Sequence, residues 1–187
     1  MQPLSRCVVT GSLRRISSVG VSDLPSYDQI AQLPSGEEHA VTPDLIDLNG
    51  HMNIRHYFDA ASLDLWRICI AADTEWSTFE ERGLSLFTVE QHLRYVSELR
   101  TGDTFVVHGR LLERSDRVVH AMSFVVTPEA QKLACTFEAS YVHVDTSTRR
   151  SVPIPDDLAA RFDAQIAASE ALGWAAPVSG AMGIRRR

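Results

Sequence analysis

The chain of 187 residues lacks several features that would mark a specialised class of protein. It has three cysteines, Cys7, Cys69 and Cys135, whose spacing fits neither a disulfide framework nor a set of metal ligands. Scattered thiols are typical of a reducing compartment, so we expect a cytoplasmic protein. No apolar run approaches the roughly 20 residues that a membrane-spanning helix requires, so no membrane partner is expected.

Positive charge is also scarce, because 18 lysine and arginine residues face 24 acidic residues and the net charge is −6. This balance opposes a broad electrostatic contact with nucleic acid, so no nucleic-acid partner is expected either. Apolar residues make up 44% and charged residues 22% of the chain, which is the composition of an ordinary globular domain.

Acidic residues are missing from the first 22 positions, which contain Arg6, Arg14 and Arg15 among several serines. This composition predicts a flexible leader over residues 1–35. A mitochondrial targeting segment is the minor alternative, because transit peptides are rich in arginine and serine and poor in acid.

Two common catalytic motifs are absent. There is no G-x-S-x-G elbow for a serine nucleophile and no glycine-rich phosphate loop. The best candidates for metal ligands are His51, His56 and Asp59, but His51 and His56 are not spaced to share one helical face. We therefore predict no metal site.

Apolar residues recur at alternating steps of four and three from Ile54 to Ala72, which is the spacing of one helical face. Asn53 stands directly before them and is a good N-cap. The spacing predicts a helix over residues 54–71. After Gly83 the period changes to two, which predicts long strands joined by short turns in an antiparallel sheet.

The order of these elements predicts an α+β fold in which a sheet of about five antiparallel strands wraps a long central helix. The main domain is expected over residues 36–155. A C-terminal helix and a loose tail rich in glycine, alanine and proline are expected over residues 156–187.

The stretch "DLNGHMNIRHY" leads directly into the predicted helix and places Asp47, Asn49 and His51 at alternate positions. Gly50 allows a sharp turn among them. The turn would deliver an acid, an amide and an imidazole to a helix N-terminus, where free N–H groups stabilise a developing oxyanion. A carboxylate there can activate water or attack directly. The bland alternative is that these residues only cap the helix.

This stretch resembles the signature of hotdog-fold thioesterases of the 4-hydroxybenzoyl-CoA thioesterase class, and the resemblance covers about residues 36–155. Together with "SLFTVEQHLRYVSEL" and "HVDTSTRRSVPIPDDL", it is most similar to betainyl-CoA thioesterases of carnitine breakdown. The resemblance implies that Asp47 is the base or nucleophile and that Asn49 and His51 position water or polarise the thioester. It also implies that N–H groups near Asn53 and Ile54 receive the thioester oxygen.

Glu90 and His92 lie two positions apart on the next predicted strand and hence on one face. Glu90 is a candidate second carboxylate that would hold water or meet a quaternary ammonium group, and His92 is a candidate substrate contact. The alternative is a solvated strand face. Trp66, Tyr95 and Phe87 are candidates for an aromatic box around a cation, although most such aromatics are core residues.

The resemblance implies an acyl-CoA substrate and no cofactor, since water is the second substrate. It also implies a homodimer or dimer of dimers with the active site at the dimer interface. A lone curved sheet leaves an open edge, and pairing two edges would remove it. Arg94, Arg100 and Arg110 are candidates for CoA contacts, with no basis for choosing among them. A non-catalytic acyl-binding module, or less favoured a hotdog dehydratase, remains as the alternative function.

Overall fold

The computed structural model describes residues 24–70 and 76–184. The predicted leader therefore lies outside the described residues up to residue 23. Its described part differs from a flexible leader, because it forms a short helix and buries Ile30 and Leu33 at 0% and 4% exposure. The helices cover Tyr27–Ile30 (α1), Ile54–Leu65 (α2), Trp76–Glu81 (α3) and Asp156–Glu170 (α4). The strands cover Ser35–Ala40 (β1), Leu84–Tyr95 (β2), Thr104–Arg114 (β3), Val118–Thr127 (β4), Lys132–Asp145 (β5) and Arg150–Ser151 (β6).

One antiparallel sheet runs in the order β1-β3-β4-β5-β2, and the two-residue β6 pairs with β5. The prediction of a long central helix wrapped by about five antiparallel strands is confirmed. Short turns join β3 to β4 and β4 to β5, as the change of period to two predicts. β2 differs, because the longer connection of residues 96–103 separates it from β3 and it pairs with β5 instead. β1 and β2 form the two ends of the strand order, and β2 is a long strand of 12 residues.

The sheet places its inner face against α2. Ser123 on β4 donates its hydroxyl to the Ala61 carbonyl at 3.0 Å. Phe58 on α2 meets Phe137 on β5 edge to face, with ring centroids 5.9 Å apart. Successive side chains of a strand point to opposite faces, so one set of strand residues forms the core with α2 and the alternate set forms the outer face.

The helix predicted over residues 54–71 is present, but its last turn, Trp66–Ile70, is a π-helix. The buried face is also displaced from the predicted stripe. Ile54 is 58% exposed, whereas Tyr57 is 3% exposed and anchors the core side one residue before Phe58. The predicted stripe also omitted a polar residue. Asp64 lies on the buried face and is only 2% exposed.

Asp64 is buried because β1 supplies it with a partner. His39 Nε2 lies 2.6 Å from Asp64 Oδ2, and the His39 ring stacks on Phe105. Gly36 on the same strand leaves the room, since a Cβ there would lie 2.9 Å from Asp64 Oδ2. A buried carboxylate with a hydrogen-bonded partner thus replaces an apolar residue in the helix face.

The outer face of the sheet is covered from both ends of the described chain. Ile30 on α1 and Trp174 after α4 join a second apolar cluster around Phe124. The composition predicted a loose tail, whereas here the Ser179 N–H donates to Glu138 Oε2 at 2.7 Å and the Ile184 N–H donates to a carboxylate of β3 at 3.0 Å.

A search of the described helices finds none that is long and apolar enough to cross a membrane. Over the same residues, no cluster of three or more histidine, cysteine, aspartate or glutamate side chains is arranged to hold a metal ion.

Candidate active site

The turn from Asp47 to His51 carries the chain into the N-terminus of α2. A bridge between Ile46 and Met52 closes its base, and the Asp47 N–H donates to the His51 carbonyl at 3.1 Å. Within the turn the Gly50 N–H donates to the Asp47 carbonyl at 3.0 Å. Gly50 has φ of 79°, a left-handed conformation that favours glycine, so the tight turn depends on this residue.

The Asp47 carboxylate is half-buried and held by donors on both oxygens. Its Oδ1 accepts the Asn49 N–H at 2.8 Å, and its Oδ2 accepts the Asn53 side-chain amide at 3.2 Å. Each carboxylate oxygen can accept two hydrogen bonds. The carboxylate is therefore fixed in orientation while one acceptor position on each oxygen remains for water or substrate.

Asn53 links this carboxylate to the helix. Its Oδ1 accepts the Arg55 N–H at 3.1 Å, which confirms the predicted N-cap. The Asn53 N–H is itself engaged, because it donates to the Leu45 carbonyl at 2.9 Å. Ile54 is the first helical residue, so its N–H has no acceptor within the helix and lies at the positive end of the helix dipole.

A cavity of about 300 Å³ opens beside this helix end. It is lined by His51, Met52, Ile54, Tyr57, Tyr95, Val96, Ser97 and Glu98. His51 connects the cavity with the turn, because it lines the cavity and accepts the Asp47 N–H through its carbonyl. The volume is at the small end of the range of about 300–1,000 Å³ found for ligand pockets.

Tyr57 forms a fixed wall of this cavity. Its hydroxyl accepts the Leu99 N–H at 2.9 Å. Burial raises the pKa of Tyr57 to about 12 and outweighs the opposing effect of that hydrogen bond, so the phenol stays neutral. Its ring meets Tyr95 edge to face, with centroids 5.4 Å apart and planes at 80°.

Glu90 and His92 lie away from this cavity within one chain. They stand opposite Ser140 and Glu138 in the β2–β5 register, on the outer face of the sheet. Glu90 lines a separate cavity of about 550 Å³ on that face. The structure thus brings Asp47, His51 and the end of α2 together and leaves Glu90 and His92 on the other side of the sheet.

The predicted aromatic box is separated in the structure. Trp66 packs against Phe79, with ring centroids 5.9 Å apart, and belongs to the core cluster. Phe87 carries the Arg149 guanidinium over its ring at 5.2 Å. Of the three predicted members, Tyr95 alone lines the cavity beside His51.

Sequence reasoning named neither Tyr57 nor Glu98 as a candidate site residue, although both line the cavity. Tyr57 follows Asn53 by four positions, so helical spacing alone places both on one side of α2. Glu98 had no comparable signal, because it comes after the end of β2 and reaches the cavity only through the tertiary fold.

The three candidate CoA arginines have different surroundings. Arg100 is exposed beside the cavity, where its Nη2 lies 3.0 Å from Glu98 Oε2. Arg110 is buried under Trp174, with its guanidinium carbon 4.5 Å from the ring centroid, and donates to the Ser169 carbonyl at 3.0 Å. Arg94 lies half-buried on the strand that precedes the cavity.

The two described cysteines lack the features of reactive thiols. Cys69 and Cys135 are buried and unbridged. Burial raises the pKa of each thiol to about 12, so neither supplies a thiolate at neutral pH.

A central helix wrapped by an antiparallel sheet, entered through a turn that carries an aspartate and a histidine, defines the class of hotdog thioesterases. The chain belongs to the thioesterase-like superfamily, whose family model matches residues 41–162. The matched range contains the turn, α2 and all four long strands, so the resemblance read from the sequence is confirmed.

Sequence similarity to named thioesterases supports this assignment. The chain is 26% identical over 143 residues to the betainyl-CoA thioesterase of Pseudomonas aeruginosa, covering 76% of this chain and 90% of that protein. It is 31% identical over 122 residues to the L-carnitine dehydrogenase/betainyl-CoA thioesterase of Agrobacterium fabrum. That match covers 63% of this chain, but the chain spans only 24% of the length of the Agrobacterium protein.

Solved structures share the fold. A hypothetical protein of Staphylococcus aureus, determined in complex with CoA, has a TM-score of 0.67 and 26% identity over 83% of this chain and 96% of its own. A 1,4-dihydroxy-2-naphthoyl-CoA thioesterase of Synechocystis has a TM-score of 0.60 and 13% identity over 68% of this chain and 93% of its own. The second likeness concerns the fold alone.

Proposed function

We propose that the chain is an acyl-CoA thioesterase that hydrolyses a small acyl thioester at the start of α2. The observation that carries this proposal is the Asp47 carboxylate, oriented by Asn49 and Asn53 on a turn that borders a small cavity. Membership of the thioesterase-like superfamily supports thioester hydrolysis as the reaction in which that carboxylate takes part.

The proposed reaction needs no cofactor, because water is the second substrate. In the general-base route, Asp47 takes a proton from water as the water oxygen attacks the thioester carbonyl carbon. The tetrahedral oxyanion then collapses, the carbon–sulfur bond breaks, and the proton returns from Asp47 to the CoA thiolate. In the nucleophilic route, Asp47 attacks directly, CoA leaves, and water cleaves the resulting mixed anhydride.

The helix end supplies the electrostatic part of this mechanism. The Ile54 N–H, which has no acceptor within the helix, is proposed to receive the thioester oxygen. The Asn53 N–H, also considered from the sequence, already donates to the Leu45 carbonyl. We therefore assign Asn53 to the positioning of Asp47 and leave Ile54 as the oxyanion donor. His51 lines the cavity and is proposed to contact the thioester.

The proposed substrate is betainyl-CoA. Two lines support it: the names of the Pseudomonas and Agrobacterium relatives, and the small volume of the cavity. Arg100, exposed beside the cavity, is the proposed contact for the CoA phosphates, because a guanidinium matches phosphate geometry. The buried, unbridged thiols agree with a reducing, cytoplasmic setting.

The proposed assembly is a homodimer joined through β2. This strand ends the sheet, and Val89 at its middle is 55% exposed. Pairing two such edges would bring residues of one protomer towards the turn of the other. Glu90 and His92 are proposed to act across that interface, since they do not reach Asp47 within one chain. Asn49 orients Asp47 within the chain through its own N–H.

A second function is favoured by one specific observation. Both Asp47 oxygens accept hydrogen bonds that also hold the turn together, which is what a purely structural aspartate would do. In that case the chain would bind an acyl thioester without hydrolysing it.

The test is CoA release by the purified protein across a panel from betainyl-CoA through acetyl-CoA to palmitoyl-CoA. We expect betainyl-CoA to be cleaved fastest and Asp47→Asn to lower the rate by about 10²–10⁴-fold, the usual contribution of a general base. Asp44→Asn is the matched control, because Asp44 is an exposed acid three positions earlier on the 3₁₀ turn Pro43–Leu45.

Equal rates for wild type and Asp47→Asn would reject the catalytic role. A panel with no turnover, but with saturable binding of the same thioesters, would favour the binding module. A single turnover in H₂¹⁸O that carries ¹⁸O into Asp47 would establish the nucleophilic route, because only a mixed anhydride cleaved at the enzyme carbonyl labels that carboxylate.

A further inference from the structure

The walls of the small cavity carry a distinct charge pattern. Among its lining residues Glu98 is the acid, and no lysine or arginine of the described residues lines it. An acyl group placed here meets a carboxylate and aromatic rings rather than a cation.

The aromatic walls have complementary roles. Tyr57 is 3% exposed and is fixed by the Leu99 N–H, so it forms a rigid side of the cavity. Tyr95 is 47% exposed, and its hydroxyl lies 3.4 Å from the Ile54 carbonyl. That contact ties the Tyr95 ring to the start of α2, beside the proposed oxyanion donor. An open aromatic face at this place attracts a cation through the ring quadrupole.

Glu98 adds a full negative charge to the same cavity. Its Oε2 pairs with Arg100 at 3.0 Å, and both side chains are more than half exposed. Exposed pairs of this kind are weak and screened by solvent. One carboxylate oxygen remains for a second cation that enters the cavity.

Buried residues lie behind the cavity. Met52 and Tyr57 close its inner side, at 0% and 3% exposure. Further along α2, Ala61 and Leu65 are fully buried against the sheet. The described part of α2 therefore offers a compact group a place but gives a long acyl chain no tunnel.

We infer that Tyr95 and Glu98 are the specificity-determining residues of this site, and that they select a compact acyl group with a quaternary or protonated amine. This inference rests on the proposed thioesterase function and deepens it. Tyr95 presents its ring face to the cation, and Glu98 supplies the opposite charge. The helix end stabilises the thioester oxygen, but its positive dipole opposes a nearby cation, so any preference for a cationic acyl group must come from Tyr95 and Glu98.

The test compares two thioesters of the same shape. Betainyl-CoA carries a trimethylammonium group, and 3,3-dimethylbutanoyl-CoA carries a tert-butyl group in which carbon replaces the nitrogen. The measured quantity is the ratio of their kcat/KM values. We expect the wild type to favour betainyl-CoA, and we expect Glu98→Gln and Tyr95→Leu each to reduce the ratio by about three- to thirty-fold, as loss of a cation contact does.

Three controls isolate the charge effect. Tyr95→Phe keeps the aromatic face and loses the hydroxyl, so its ratio should stay near that of the wild type. Glu38→Gln removes an acid from β1, the opposite end of the sheet order, and should leave the ratio unchanged. Turnover of the tert-butyl thioester by every variant shows that the fold and the catalytic turn are intact.

The possible outcomes separate the two levels of the proposal. Equal kcat/KM for both thioesters in the wild type, or an unchanged ratio in both Glu98→Gln and Tyr95→Leu, overturns the inference and leaves the thioesterase standing. Failure of the wild type to cleave either thioester, or any other of the acyl-CoA panel, overturns the thioesterase and the inference together.

Discussion

At the residue scale, Asn53 connects helix formation with the proposed chemistry. Its side-chain oxygen caps α2 through the Arg55 N–H, and its side-chain nitrogen holds Asp47 Oδ2. One side chain thus stabilises the helix and orients the carboxylate. The two tasks use different atoms, so substitutions can separate them.

Asn53→Ala should remove both contacts. We expect the free energy of unfolding to fall by about 1 kcal/mol, the usual cost of losing an N-cap. Asn53→Ser should keep the cap, because serine is as good a cap as asparagine, but its hydroxyl is too short to replace the amide at Asp47. Urea unfolding and CoA release, measured on both variants, check this.

The expected pattern is a stability near wild type for Asn53→Ser with thioesterase activity as low as that of Asn53→Ala. If activity follows stability instead, so that Asn53→Ser is fully active, the amide contact to Asp47 does not matter for the reaction. Arg55→Ala serves as a control, since it alters a neighbouring side chain and keeps the N–H that Asn53 accepts.

Residues close in sequence were predicted well, and residues brought together by the sheet were not. Asn53 and Gly50 act where the sequence placed them, because caps and tight turns are set by local backbone chemistry. Asp64 was not foreseen, since its burial depends on His39 from a strand 25 positions earlier. Glu98 was missed for the same reason.

At the element scale, the segment after α4 is clamped to the outer face by a buried network. His120 Nε2 lies 2.9 Å from Glu138 Oε1, and His120 Nδ1 lies 3.4 Å from Glu113 Oε1. The N–H groups of Ser179 and Ile184 donate to the same two carboxylates. The two carboxylates and the imidazole therefore connect β3, β4 and β5 with the segment.

The clamp should depend on pH through Glu138, which is 1% exposed. Burial alone would raise the pKa of Glu138, but hydrogen bonds from His120 and Ser179 outweigh it and hold the pKa below its ordinary value of 4.5. A lowered folded-state pKa means that Glu138 stabilises the fold above 4.5 and that this contribution is lost as pH falls below that value.

Glu138→Gln should remove this contribution, at a cost of about 1–3 kcal/mol near neutral pH for a disrupted buried hydrogen bond to a charged group. The difference in unfolding free energy between wild type and variant should shrink as pH falls from 5.5 to 3. Urea titrations at each pH measure it, with Glu129→Gln, an exposed acid in the β4–β5 turn, as the control. A difference that stays constant across this range would show that the Glu138 charge does not hold the clamp.

The elements themselves differ in how well pattern predicts them. The helix and the long strands follow from periodicity, because each buries one continuous face. The segment after α4 has no periodicity, and its contacts are backbone N–H groups bonded to side chains of distant strands. The one local signal was Trp174, a large aromatic residue in a stretch otherwise rich in small ones, which packs on Phe124.

At the scale of the whole molecule, the two ends of the strand order differ. β1 is short, and α4 packs against β3, the strand that pairs with β1. β2 is long and has exposed residues from Thr88 to Gln91. A long exposed edge strand is a template for pairing with another strand. The clamped segment covers much of the outer face, so the β2 edge is the most open place for a second copy.

Val89→Lys should disrupt that pairing, because a charged side chain on an edge strand opposes association with a like-charged copy. We expect the wild type to be a dimer by light scattering and the variant to be a monomer with an unchanged circular-dichroism spectrum. Arg161→Lys on α4 preserves charge away from the edge and should remain dimeric.

The activity of the monomer shows whether the dimer is needed for catalysis. If Glu90 and His92 act across the interface, the monomer should lose CoA release even though its own Asp47, Asn53 and cavity are intact. A monomer with full activity would place the whole reaction within one chain and remove Glu90 and His92 from the site. A dimeric Val89→Lys would place the contact on another surface.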